Sequence, residues 1–493
     1  MSDPSFHALA VDLGAESGRV MLGAIEGGTL NLTELHRFPS AMCRINGSLR
    51  WDVLRLFEEI KEGLREAGCL GKPIASVSTD SWGVDYVLMR GEEPLLAVPF
   101  HYRDERTDGA FERIFPKVSQ QAIFESTGIQ FMELNTLYQL HEDAEDRREL
   151  LEASDGFLNI ADYFNWLMSG TRKAEVSLAS TTQLYNPRSG EWARDIAEQA
   201  GIPGHLFPEI ADSGTPLGPL RTELADELRL TGTQVVSGLS HDTAAAVMAV
   251  PAETGNWAFL SSGTWSLLGV ERPEPLINEA SQTLNFTNEA GFGGTTRFLK
   301  NLVGLWILQE CRRCWAEAGD NFTYDELTKL ASGAASLSML IRPDAPEFAK
   351  PGHMPEKIAD YCARTNQPSP ATQAQYIRCI IDSLALLYGE NLRQLRNLTG
   401  SKIDRIHIVG GGSRNALLNQ ATATATRCEV LAGPVEATAM GNILSQAFAL
   451  KSINSIEEAR QIVRNSISIE TYAPERSEKW EEAERKFEEL PQQ

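Results

Sequence analysis

Ala8-Leu9-Ala10-Val11-Asp12-Leu13-Gly14-Ala15-Glu16-Ser17-Gly18-Arg19 is an apolar run that ends in a carboxylate, turns on a glycine and returns through an arginine. The run predicts a strand, a tight turn and a second strand. Such a turn exposes backbone N–H groups beside a carboxylate, a setting that suits a phosphate and its magnesium ion. Alone, this motif commonly marks only a hairpin. A related stretch, Trp257-Ala258-Phe259-Leu260-Ser261-Ser262-Gly263-Thr264-Trp265-Ser266-Leu267-Leu268-Gly269-Val270, lies in the other half of the chain. Two hairpins of this kind suggest a duplicated architecture that holds one nucleotide.

The 493 residues carry a net charge of −22, with 42% hydrophobic and 23% charged side chains. This is a globular composition, long enough for two substantial cores. The acidic balance argues against a nucleic-acid partner, because a phosphate backbone needs a basic surface. A bound nucleotide would need local backbone donors, magnesium and nearby cations. No signal-peptide pattern and no apolar run of membrane-spanning length is read, so a cytoplasmic protein with no membrane partner is expected. The seven scattered cysteines fit reduced thiols. Cys311-Arg312-Arg313-Cys314 lacks a second pair and reads as part of a helix rather than a zinc site.

Strands are expected at 8–12, about 20–25, about 30–38 and 74–80, with a helix from about Asp52 to Ala67. Val53, Leu56, Phe57, Ile60 and Leu64 share one face of that helix. Strands followed by a helix and another strand indicate an α/β protein. Residues 100–215 read as a helix-rich insertion that shapes a substrate site, and Gly201 to Pro219 as loops. A domain boundary is placed near Pro251. In the second half, helices are expected at about 299–317 and 371–398. Ile406 to Val409 is expected as a strand running into Gly410-Gly411-Gly412. Trp480, Ala483, Phe487 and Leu490 form one stripe of a terminal helix that should dock on the surface.

Gly238-Leu239-Ser240-His241-Asp242-Thr243 ends a strand and opens an alanine-rich helix. An aspartate there is commonly a cap. It is equally a candidate general base, kept ionised by the helix dipole and able to accept a hydroxyl proton. Asp80-Ser81-Trp82-Gly83-Val84-Asp85-Tyr86 combines carboxylates, an aromatic face and a glycine, which suits a sugar. A hairpin with a buried tryptophan reads as well. His101 to Thr107 is a solvated loop by default and a polyol-binding loop on the sharper reading. Gly410 to Gly412 would let backbone approach a flat ligand such as adenine. Neither GxxxxGK[ST] nor a GxGxxG opening a helix is present, so Walker-type and dinucleotide-binding readings have no support.

These stretches resemble the FGGY carbohydrate kinases, a branch of the sugar kinase, actin and heat-shock ATPase superfamily. The resemblance runs through Val11–Arg19, Asp80–Tyr86, Tyr102–Thr107, Gly128–Leu140, Ser240–Thr243, Leu260–Ser266, Lys300–Gln309, His407–Gln420 and Ala432–Ala437, nearly the whole chain. It implies two actin-like ATPase (ribonuclease H-like) α/β domains with a cleft between them. Residues 1–250 would bind sugar and phosphate, and residues 251–493 the nucleotide. It implies ATP and Mg2+ as cofactors and a small sugar as partner, with phosphate transferred to a ketose hydroxyl. Asp242 matches the catalytic base. Gly83, His241, Asp242, Thr243 and Asn301 match the sugar site, and Asp12 the magnesium position. Ala15, Glu16, Ser17, Gly18 and Arg19 match the first phosphate turn, and Thr264, Gln309 and Gly411 the nucleotide side. Many members have threonine where this chain has Ala15 and Glu16, so no phosphate contact is expected from the Glu16 side chain. A non-catalytic actin-like ATP-binding protein is the contrasting reading. The Asp242 helix start and the polar Asp80–Tyr86 loop favour the kinase.

Overall fold

The structure, a computed structural model, describes residues 5–95, 98–253 and 255–491. Two compact units are present. The first comprises residues 1–251, 271–298 and 437–466, and the second residues 252–270, 299–436 and 467–493.

The first unit is built on the opening hairpin. Strand Phe6–Leu13 is buried along its whole length and pairs antiparallel with Ser17–Glu26, Asp12 facing Arg19. Thr29–Pro39 continues the meander. On its other side, Phe6–Leu13 runs parallel to Ser76–Ser81, which runs parallel to Gln234–Ser237. Thr215–Pro219 closes that edge antiparallel. The expectation of loops through Pro219 is therefore corrected. Thr215-Pro216-Leu217-Gly218-Pro219 is an edge strand, the place where prolines are tolerated because the outward side needs no ladder donor. Helix Val53–Cys69 is capped by the Asp52 side chain and buries Val53, Leu56, Ile60 and Leu64. Residues 100–215 contribute several short helices with their own apolar core around Tyr138, Phe124, Phe157 and Leu206.

The second unit repeats this plan. Trp257–Ser262 pairs antiparallel with Trp265–Arg272 and parallel with Arg405–Val409, which runs parallel to Glu429–Ala432. Glu470–Tyr472 closes that edge antiparallel. Thr296–Val303 lies beside Trp265–Arg272, in the place that the third meander strand takes in the first unit. The helix expected from 299 is thus corrected: 299–303 is strand, and the helix runs Trp306–Glu317. Pairing with a neighbouring strand outweighs the local helical pattern there. The terminal helix Glu478–Glu489 buries Ala483 and Phe487. Arg342 stacks over Phe487, and Arg393 and Arg427 bind Glu484. Among the described residues no helix is long and apolar enough to cross a membrane.

Helix Ala437–Ala449 belongs to the first unit and packs on helix Asp242–Met248. Small residues bring the two backbones together: a Cβ at Gly441 would lie 1.8 Å from the Ala245 carbonyl oxygen. Gly441→Ala is therefore expected to destabilise the protein by about 1–3 kcal/mol, the scale of an overpacked core. It should also displace the helix that carries Asp242. Urea unfolding and turnover of the same variant read both effects, and an unchanged midpoint would contradict this packing.

Candidate functional site

Parallel pairing fixes the site in the first unit. Asp12 and Asp80 are direct cross-strand partners near the carboxyl ends of their strands. Ser81 bridges to His241, its N–H donating to the Ser240 carbonyl at 2.9 Å. Asp242 opens the next helix. Asp12, Asp80 and Asp242 thus share one edge, together with Thr243 and, past Ser81, the Trp82–Gly83 turn. Arg19 meets Asp12 at 2.5 Å.

Asp80 is fully buried. Burial and the charge of Asp12 push its carboxyl well above the usual range, Asp242 adding to the effect while Asn442 opposes it. Asn442 Nδ2 donates to Asp80 Oδ2 at 2.5 Å, and Asp80 Oδ1 has no hydrogen-bond partner. Asp242 is one-third exposed. Its Oδ1 accepts from the Thr243 N–H at 2.5 Å and the Thr243 hydroxyl at 3.1 Å. Both of these donors bind Oδ1.

The opening turn is a hairpin in which Gly14 N–H donates to the Ser17 carbonyl at 3.0 Å, while the Ser40 hydroxyl binds the Gly14 carbonyl. Glu16 is exposed and Gly18 is buried. In the second unit, Gly263 N–H donates to the Trp265 carbonyl at 2.9 Å, closing the turn that carries Thr264. The N–H groups of Leu305 and Trp306 bind the carbonyls of Gly263 and Thr264. Helix Trp306–Glu317, which carries Gln309, therefore starts on this turn. Gln309 Oε1 is buried without a hydrogen-bond partner. Gly410 has φ 85°, and a Cβ at Gly412 would lie 2.0 Å from the Ser262 hydroxyl, whereas a Cβ at Gly411 would meet only open space. Gly410 and Gly412, which flank Gly411, thus pack on Ser262 beside the turn that carries Thr264. Asn301 sits half-buried on Thr296–Val303 in this same unit.

The Asp80–Tyr86 loop faces inward. Trp82 is buried and stacks on Trp51, which stacks on His101. Asp85 is a hub: its Oδ2 accepts from Trp51 Nε1 at 2.6 Å, Trp82 Nε1 at 3.0 Å and the Tyr102 N–H at 3.1 Å. Its Oδ1 accepts from Gln139. The aromatic and acidic members of this motif support the turn rather than present a platform. Val84 takes φ 69°, a strained conformation for a β-branched residue. Its carbonyl is held by the Thr136 hydroxyl and its N–H by Thr181. The default of a solvated loop at 101–107 is overturned as well. His101 is buried, and burial holds it down to about 3, while Arg106 binds Asp143 and Gln139.

Several residues at the site escaped sequence reading. Glu175 is fully buried and accepts from the Ser177 hydroxyl at 2.5 Å and from the N–H groups of Leu178 and Ser240. Burial raises its carboxyl above the ordinary value against those hydrogen bonds. Ser177 Oγ in turn accepts from the His241 N–H. Glu289 and Arg297, paired at 3.2 Å, lie behind His241. Asn442 had one usable signal: Asn442 and Gln446 are polar residues four apart on an otherwise small and apolar helix.

Residues 7–249 match the N-terminal domain of the FGGY family of carbohydrate kinases, and residues 258–450 its C-terminal domain. A rhamnulokinase of Bacteroides thetaiotaomicron is 40% identical over 474 residues, covering 96% of this chain and 97% of that protein. A Bacillus subtilis rhamnulokinase is 38% identical, covering 94% and 95%. Among solved structures, a ligand-bound xylulose kinase from Lactobacillus acidophilus superposes with TM-score 0.78 at 14% identity, covering 98% of this chain and 96% of its own. Plasmodium falciparum glycerol kinase with ADP gives TM-score 0.77 at 13% identity, covering 98% and 96%. These two likenesses show that the fold is shared with this chain.

Asp85 gives the site a pH dependence. Burial raises it from 3.8 to about 6, opposed by its four hydrogen bonds. The folded state then holds a proton that the unfolded chain has released. The associated stability is full below pH 3.8 and lost as pH rises through about 6. Asp85→Asn should flatten that part of the stability–pH curve and remove the matching change in tryptophan fluorescence. A variant that keeps the wild-type slope would contradict the assignment.

Proposed function

This chain belongs to the FGGY family of carbohydrate kinases, and on that premise we propose that it is a rhamnulokinase, transferring the γ-phosphoryl group of ATP to L-rhamnulose to give L-rhamnulose 1-phosphate and ADP. Full-length likeness to curated rhamnulokinases at 38–40% identity supports the substrate. The observation that carries the mechanism is the Asp242 carboxylate, with one oxygen anchored on Thr243 and the other open.

In this reading Asp242 Oδ2 takes the proton of the C1 hydroxyl. The hydroxyl oxygen forms a bond to the γ-phosphorus as the bond from that phosphorus to the β–γ bridging oxygen breaks, and ADP departs. His241, Thr243, Gly83 and Asn301 serve the sugar. The backbone of Ala15 to Gly18 and Arg19 serve phosphate, while the exposed Glu16 side chain does not. Thr264, Gln309 and Gly411 serve the nucleotide. The unpartnered Gln309 Oε1 suits an amino group of the base, and the open face of Gly411 suits close approach of a flat ring.

Magnesium fits this donor set. Among the described residues, no group of three or more His, Cys, Asp or Glu side chains forms a metal cage. Nucleotide-borne magnesium needs only one or two carboxylates, because phosphates and waters complete its shell. Asp12 would hold it, in contact through water, beside the orphaned Asp80 Oδ1. The ion, when bound, neutralises charge on the phosphates. Buried thiols at Cys311, Cys362, Cys379 and Cys428 suit a reducing cytoplasm, where we place the reaction.

Two outcomes test the proposal. Asp242→Asn should lower kcat by roughly 10²–10⁴-fold, the scale of general-base catalysis, with nucleotide binding retained. Near-normal turnover would remove Asp242 from that role. In a coupled assay of ADP release across ketoses, L-rhamnulose should give the highest kcat/KM. Preference for L-fuculose or L-xylulose would reassign the substrate. ADP release independent of any sugar would favour the non-kinase reading.

A further inference from the structure

His241 sits between the partly exposed Asp242 and the buried Arg297. Its Nε2 lies 3.4 Å from Asp242 Oδ1, and its Nδ1 lies 3.2 Å from Arg297 Nη2. Arg297 is fully buried on Thr296–Val303, its Nε donating to the Ala290 carbonyl at 3.0 Å and its Nη2 paired with Glu289 at 3.2 Å. Burial alone would disfavour the guanidinium charge, and the carboxylates of Glu289, Glu175, Asp242 and Glu271 oppose that effect.

A guanidinium carries only N–H donors and does not deprotonate in proteins. A hydrogen bond from Arg297 to His241 Nδ1 therefore requires a lone pair on Nδ1. The one ring proton of the neutral imidazole then resides on Nε2. Glu289 Oε2 also approaches Nδ1, at 3.4 Å, and would favour the opposite tautomer. The Arg297 contact is the shorter of the two and has hydrogen-bond geometry. Arg297 Nη2 also lies 3.2 Å from that same Glu289 Oε2.

We infer that Arg297 is a positioning residue that fixes His241 as the Nε2–H tautomer, so that the ring donates toward Asp242 Oδ1 and toward a substrate hydroxyl at that point. Oδ1 then faces three donors: the Thr243 N–H, the Thr243 hydroxyl and His241 Nε2–H. Its lone pairs are engaged, and Oδ2 is the oxygen left to take a proton. This inference rests on the reading of Asp242 as the base, but the tautomer itself is measured without turnover.

The test is a two-bond 1H–15N spectrum of the full chain carrying 15N-histidine, recorded where the ring is neutral. The His241 signal is identified by its loss in His241→Gln. The expected result is a protonated Nε2 and a bare Nδ1. A protonated Nδ1 overturns the inference, whatever becomes of Asp242. Kinetics supply the second arm. Arg297→Gln should lower kcat roughly 10–100-fold, the scale of a misplaced reacting group, with KM for ATP unchanged. Arg297→Lys, which also only donates, should recover part of that loss. A folded Arg297→Gln with wild-type kcat overturns the positioning role. If that variant does not fold, the wild-type spectrum decides.

Discussion

The parallel register of Phe6–Leu13, Ser76–Ser81 and Gln234–Ser237 is the constraint on which the site depends. It ends three strands on one edge and sets Asp12 directly beside Asp80. Neighbouring strands lie about 4.8 Å apart. Two full negative charges at that spacing repel by about 3.5 kcal/mol at an effective dielectric constant of 20. The fold meets this repulsion in two ways. Arg19, the cross-strand partner of Asp12, supplies a cation at 2.5 Å. Asp80 is pushed toward its neutral form and receives Asn442 rather than a cation. Asp242, one strand further along and partly exposed, keeps an oxygen open. Three carboxylates on one edge thus occupy three different environments, and separate roles follow from them.

The same plan carries different side chains in the second unit. A hairpin is followed by a parallel strand, another parallel strand and an antiparallel edge in both units. The first hairpin carries Asp12 and Arg19 around its turn, and the second carries Ser261, Ser262 and Thr264. Hydroxyls and close-packed glycines therefore replace charge. The packing of Gly412 on Ser262 brings the triglycine turn against the second hairpin. The helix that carries Gln309 begins on the carbonyls of that hairpin. A protein with a net charge of −22 cannot attract a nucleotide through its overall field. The proposed nucleotide recognition therefore rests on such short-range donors.

Features set by neighbours in sequence were legible. The opening hairpin, the helix capped by Asp52, the terminal helix docked through Phe487 and the helix start at Asp242 all follow from local period and turn chemistry. Features set by distant partners were not. Thr296–Val303 is a strand because another strand lies beside it. Trp82 and Asp85 face inward because Trp51 and Gln139 come from elsewhere in the chain to meet them. Within His101 to Thr107, Arg106 is committed to Asp143 and Gln139 and Asp104 to the Leu49 N–H, which spacing within the loop could not reveal. Glu175, Glu289 and Arg297 carry no motif. They become part of the site only when the chain returns them to the Ser240–Thr243 turn.

The most direct test of this account is a crystal structure with L-rhamnulose and ADP bound. The account predicts the C1 hydroxyl within hydrogen-bonding distance of Asp242 Oδ2, with Oδ1 still turned to Thr243. A C1 hydroxyl seated on another carboxylate, or an Asp242 with both oxygens turned into the helix start, would contradict it.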